Sequence, residues 1–147
     1  MKRIIVAKKL PSFAKDVVDE NFEVIFIGDI NEETYPNFIK ALPHADGLLI
    51  TADFDYFKEV HQLANNLKGV STIAVGHDNI PVSKLAESNV KCTHTPDILS
   101  EATADLIFGL LLAIARRIPE LDVFVKAGKW QKSIGEGLFG TNVYGKN

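Results

Sequence analysis

The first hundred residues alternate two kinds of segment. Short runs dense in β-branched and other apolar side chains occupy 3–7, 23–28, 47–51, 71–76 and 90–94, and amphipathic stretches at 12–19, 33–41, 56–67 and 82–88 lie between them. Runs of this length, apolar at nearly every position, suit strands covered on both faces by helices. Pro11, Gly28, Pro43, Gly69 and Pro81 punctuate the joins and leave only short connections. The pattern predicts an α/β fold: a flavodoxin-like, doubly wound parallel sheet of about five strands.

The character changes after Pro96. Ser100 is expected to cap a helix, with Glu101 at its positive end. Every residue from Leu106 to Ala115 except Gly109 is apolar, and Arg116-Arg117 close the run. So short a run does not span a bilayer. A helix apolar all the way round is expected instead to bury more than one side, against its own sheet and against a further surface. Pro119 is expected to open a second, amphipathic helix, with Glu120 and Asp122 in its first turn and Lys126, Gly128 and Lys129 at its end. Half of the ten glycines fall in the last twenty residues, beside Trp130, Phe139 and Tyr144. Glycine at that density opposes a regular element and the aromatics oppose a solvated linker, so the segment reads as an arm that docks on a surface.

Composition narrows the class. The chain has 147 residues, 46% hydrophobic and 24% charged, enough for one sizeable core without disulfide or metal staples. Its net charge is −3, and no Lys/Arg block exceeds the pairs Lys8-Lys9 and Arg116-Arg117, so nucleic acid and anionic membrane surfaces are disfavoured as partners. Cys92 is the single cysteine, and Met1-Lys2-Arg3 runs into Ile4-Ile5-Val6-Ala7 without a signal-peptide pattern, so the expected location is the cytoplasm.

In open parallel sheets, ligands bind beyond the carboxyl ends of the strands. The strongest candidate there is Val75-Gly76-His77-Asp78-Asn79-Ile80-Pro81. A glycine at a strand end lets backbone amides approach a small anion, and a helix start behind it adds partial positive charge, which makes a carboxylate a plausible guest. The same residues also suit a plain βα turn closed by the Asp78 and Asn79 side chains, and both readings stay open. Thr51-Ala52-Asp53-Phe54, after the third strand, is placed to form a facing wall or an ordinary polar loop. The first strand ends in Ala7-Lys8-Lys9, which lacks both the acidic pair of a phosphoacceptor receiver and the hydroxyl- and glycine-rich phosphate loop of a flavodoxin. His44, His61, His77 and His94 show no metal-ligand spacing, Cys92 reads as a small strand hydrophobe, and no nucleophilic triad, carboxylate pair or Gly-x-Gly-x-x-Gly is present. No metal site is expected.

Three stretches, taken together, identify a family. Gly76-His77-Asp78-Asn79-Ile80, then Thr95-Pro96-Asp97-Ile98-Leu99-Ser100-Glu101-Ala102-Thr103-Ala104-Asp105, then Leu110-Leu111-Leu112-Ala113 with Ala115-Arg116-Arg117-Ile118, continued by Gly128-Lys129-Trp130, resemble the D-isomer-specific 2-hydroxyacid dehydrogenases in order and spacing. Pro81 departs from that pattern, standing where the family carries an acidic residue.

The resemblance implies hydride transfer between NAD or NADP and a small 2-keto or 2-hydroxy acid such as glyoxylate or hydroxypyruvate, in a cleft between a flavodoxin-like domain and a Rossmann domain. Carried over, the amides of Val75 and Gly76 would hold the substrate carboxylate, Thr51 and Ala52 would face it, and Thr103 would lie near the nicotinamide. Residues 1–98 would be the substrate domain, 99–117 the interdomain helix, and 118–147 the helix and arm of a homodimer. The Rossmann domain and the catalytic arginine, glutamate and histidine would follow residue 147. The resemblance therefore implies a truncated chain with no catalytic residue of its own, no tight nucleotide binding and no turnover alone. The alternative is a non-catalytic, dimer-forming module derived from that family.

Overall fold

A computed structural model describes residues 1–133 and 135–146. The chain divides into two compact units, Met1–Ile98 and Leu99–Asn147. In the first, the short apolar runs form β1 (Arg3–Val6), β2 (Glu23–Phe26), β3 (Gly47–Ile50), β4 (Gly69–Thr72) and β5 (Lys91–Thr93). All pair in parallel, in the order β2-β1-β3-β4-β5, as expected for a flavodoxin-like sheet. Between them run α1 (Ser12–Asn21), α2 (Tyr35–Ala41), α3 (Phe57–Leu63) and α4 (Val82–Glu87).

Right-handed crossovers dictate where the helices lie. The step from β1 to β2 runs one way and the later steps run the other, so α1 falls on one face of the sheet and α2, α3 and α4 on the opposite face. The second face carries the core. Ile5, Leu48, Ile50 and Val70 from the strands meet Phe38, Leu42, Val60 and Leu85 from the helices and their ends. Phe38 is fully buried, and its ring stands edge-on to Phe54 and Tyr56 at 5.9 and 5.7 Å. The first face is only partly clad. α1 buries no residue, Phe13 is 74% exposed, and a mostly apolar trough of about 500 Å³ is lined by Val18 of α1 and Phe22 just after it together with Leu49 and Ser71 of the strands. Full cover on both faces, the expectation from the strand sequences, is realised on one.

α1 runs two residues past its expected end, to Asn21, whereas several other elements are shorter than or displaced from the predicted runs. Glu33 and Thr34 precede α2 because their amides donate to the Asn31 side chain in a turn. The helix expected over 56–67 stops at Leu63, and Leu67 turns inward to become buried. The fourth strand, expected over 71–76, lies at Gly69–Thr72. Gly69 pairs opposite Gly47, and the ladder ends once β3 turns away after Ile50, with Phe54 N–H donating to Thr51 O at 3.2 Å.

In the second unit, α5 (Ser100–Ala115) and α6 (Ile118–Lys126) are followed by a single 3₁₀ turn at Glu136–Leu138. Leu99, not Ser100, occupies the cap position of α5, and no side-chain cap bond forms. Ser100 is already helical, and the Thr103 amide is satisfied by Leu99 O at 2.8 Å. Likewise α6 begins at Ile118, with Pro119 as its second residue. None of the α5 residues is buried; Leu106, Ile107 and Phe108 are 62, 61 and 61% exposed. The two-sided burial expected of this helix is not found among the described residues. Gly140 is a tight contact: a Cβ there would meet Ala115 O at 2.6 Å, so only glycine lets the last segment run against the end of α5. Ile134 and Asn147, part of the expected arm 118–147, lie outside the described residues. No helix among the described residues is long and apolar enough to cross a membrane.

At the amino edge of the sheet, Asp46 joins three strands. Its amide donates to Arg3 O and its carbonyl accepts from Lys68 N–H, both at 2.7 Å. Its carboxylate accepts from Arg3 N–H at 2.9 Å and from Lys2 Nζ at 3.0 Å. The Arg3 amide, and then the Lys2 ammonium, hold this carboxyl below the usual carboxylate range. A group depressed in the folded state stabilises fully above its unfolded value and ceases to do so as pH falls through its folded value. Asp46→Asn therefore lowers the urea midpoint at about pH 7, and the deficit disappears as acid is added toward about pH 2, which paired denaturation curves measure.

Candidate functional site

Beyond the carboxyl edge of the sheet, the chain after β4 bends over Ile73 to Val75 and keeps a neighbour on each side in turn. Ile73 N–H donates to Ile50 O at 2.9 Å, and Ala74 O accepts from Thr95 N–H at 3.0 Å. Then both ladders are spent. Val75 and Gly76 follow in a bend, exposed, and neither amide has a hydrogen-bond acceptor among the described residues. Gly76 lacks a positive φ, and a Cβ built on it meets nothing within 4 Å. The space above this turn is open.

Two side chains fasten the bend from either flank. Asn79 Nδ2 donates to Phe54 O at 2.9 Å, tying the turn after β4 to the turn after β3, and Ile80 N–H closes on His77 O at 2.9 Å. On the other flank, His94 Nδ1 lies 2.9 Å from Val75 O, and the His77 and His94 rings pack with centroids 4.7 Å apart. The expected closure of this turn by the Asp78 and Asn79 side chains is not found among the described residues: backbone closes it, and Asn79 reaches across to the turn after β3. The helix dipole expected behind the glycine is absent: α4 has six residues and starts at Val82, well past the first turn that a dipole reaches.

The facing loop has a different electrostatic character. Thr51 is half-buried and its hydroxyl donates to the Asp53 carboxylate, which holds that carboxyl below its ordinary value. Lys8 Nζ sits 2.7 Å from Asp29, and that hydrogen bond raises the lysine above its usual range. These groups line a polar cavity of about 290 Å³ with Ala7, Phe54 and Tyr56. Two carboxylates against one ammonium repel an incoming carboxylate, so the cavity suits an uncharged polar tail. Of the residues expected to form the site, Thr51 lines this cavity, Ala52 is exposed on its loop, Val75 and Gly76 are in the open bend, and Thr103 is exposed on the first turn of α5 in the second unit. Cys92 is half-buried against the core, and burial pushes its thiol up, as befits a packing residue.

The profile of the D-isomer specific 2-hydroxyacid dehydrogenase catalytic domain matches residues 4–142. The chain belongs to this family. Glyoxylate/hydroxypyruvate reductase B of Yersinia pestis is 37% identical over 146 residues, an alignment covering 97% of this chain and 44% of that protein. A Thermus thermophilus crystal structure superposes with a TM-score of 0.76 at 34% identity, covering 95% of this chain and 45% of that one. The NADPH-dependent glyoxylate/hydroxypyruvate reductase of Sinorhizobium meliloti, solved with NADP and malonate, has the same fold, with a TM-score of 0.72 at 23% identity over 98% of this chain and 44% of that one. The chain thus spans somewhat under half the length of the dehydrogenases it matches.

Reading residues alone missed one feature of this turn, the His77–His94 pair. The two are 17 positions apart and follow different strands; only the β4–β5 register, with Ser71 opposite Thr93, brings them together. Because a side chain at Gly76 enters open space without backbone strain, Gly76→Val changes the stability of the fold by no more than about 0.5 kcal/mol, as urea unfolding of the two chains measures.

Proposed function

We propose that this chain is the substrate-binding part of an NAD(P)-dependent D-2-hydroxyacid dehydrogenase acting in the cytoplasm on a small 2-keto or 2-hydroxy acid such as glyoxylate or hydroxypyruvate. Residues 1–98 are the substrate domain, 99–117 the interdomain helix, and 118–147 the helix and dimerisation arm. The observation that carries this reading is the pair of unpartnered amides at Val75 and Gly76 under open space, in a chain of this family. Backbone N–H groups held that way suit a carboxylate. The facing cavity at Thr51 and Lys8 takes the uncharged end of the acid, and the name of the Yersinia relative supports substrates of that size.

The residues present do not fit a dinucleotide. The turn after β1 is Ala7-Lys8-Lys9, with no glycine to admit a pyrophosphate, and Thr103 stands on an exposed helix with no side-chain hydrogen-bond partner among the described residues. In the family, the nicotinamide supplies or accepts the hydride; this chain contributes the seat and orientation of the acid. Mixed with NADH and glyoxylate or hydroxypyruvate, the purified chain oxidises no cofactor above the uncatalysed rate, and D-glycerate shifts the Val75 and Gly76 amide resonances of the labelled chain. Robust turnover, or amides indifferent to D-glycerate, overturns the reading.

The exposed apolar face of α5, with Ile114 75% exposed and Leu110 53%, favours a homodimer, whether the chain is an enzyme part or a non-catalytic interaction module. Sedimentation equilibrium then gives twice the chain mass, and Ile114→Glu returns the monomer. A native chain that stays monomeric at every concentration tested removes both the homodimer and the module.

A further inference from the structure

The bend that offers the two amides is held by a side chain outside it. His94 Nδ1 stands 2.9 Å from Val75 O. A carbonyl oxygen only accepts, so Nδ1 carries the proton and the ring is the donor. The peptide joining Val75 to Gly76 is trans and planar, which sends the Val75 carbonyl and the Gly76 N–H to opposite sides. Capturing the carbonyl from one side therefore fixes the Gly76 N–H on the other, where it has no acceptor among the described residues. His77 packs on the His94 ring at 4.7 Å and limits its rotation. Without this contact, nothing else among the described residues bonds the Val75–Gly76 peptide, since both ladders end at Ile73 and Ala74.

We infer that His94 is a positioning residue for carboxylate binding: its Nδ1–H fixes the Val75–Gly76 peptide plane so that the Gly76 amide is presented to the acid. This rests on the carboxylate seat proposed above and adds a specific device to it. The donor is present in both the neutral Nδ1–H tautomer and the imidazolium, so the device does not depend on the charge of the ring.

Two variants of the full ¹⁵N-labelled chain test it. His94→Leu removes the donor, whereas His94→Asn keeps an N–H at nearly the place of Nδ1. His94 is exposed, so both chains fold, and the remaining amide resonances verify this. Without ligand, the Gly76 N–H order parameter is expected near that of rigid backbone, about 0.85, in the native chain and in His94→Asn, and below about 0.6 in His94→Leu. In D-glycerate titrations followed at Gly76, His94→Leu binds about tenfold more weakly, the scale of one misdirected hydrogen bond to a charged group, and His94→Asn restores binding. If His94→Leu keeps native affinity and a rigid Gly76 amide, the positioning role is wrong and the seat stands. If the native Gly76 amide ignores D-glycerate while its order parameter still falls in His94→Leu, the seat is wrong, and the role of His94 toward an acid is overturned with it.

Discussion

The parallel ladder ends unevenly, and the candidate site follows from that. β3 leaves the sheet after Ile50, so β4 keeps one neighbour at Ile73, exchanges it for the other at Ala74, and has neither at Val75. A backbone that has lost both partners must find others or face water. Here the carbonyl of Val75 finds a histidine, and the amides of Val75 and Gly76 find no acceptor among the described residues. The hydrogen-bonding capacity left over at the carboxyl edge is what a small anion can use. The trough on the sheet face is larger and its walls are mostly apolar.

The same sheet separates its two jobs in space. One face packs Phe38 and the aromatic cluster around it, and the carboxyl-edge loops are tied to that cluster: Phe54 is in it, and its carbonyl is the acceptor for Asn79. The loop after β3 is therefore anchored in the core at Phe54 while it presents Thr51 and Asp53 to the cavity. At the amino edge, Asp46 ties together the starts of β1, β3 and β4.

The second unit poses the opposite problem. Its apolar residues are not gathered into a core: α5 exposes leucine, isoleucine and phenylalanine around its circumference, and Trp130, Phe139 and Tyr144 are exposed in the segment that follows. Hydrophobic burial is the main favourable term in folding and association, and among the described residues α5 buries none of its own side chains.

Residue patterning was sufficient for the parallel architecture, the number and order of strands and helices, and the family, because apolar period, prolines and glycines are local signals. It also marked Val75, Gly76 and Thr51 as candidates, since a glycine past a strand and a hydroxyl-carboxylate loop are legible as they stand. It overextended β4 by reading Ile73 and Val75 as strand, because whether an apolar residue pairs depends on the neighbour's length and not on its own side chain. It treated Ser100 as a cap and His94 as one of four unrelated histidines, because the first depends on backbone dihedrals and the second on register between β4 and β5. The direction in which the Gly76 amide points belongs to the tertiary structure alone: it is set by a ring 18 residues away, brought within 2.9 Å of the preceding carbonyl only when the sheet forms.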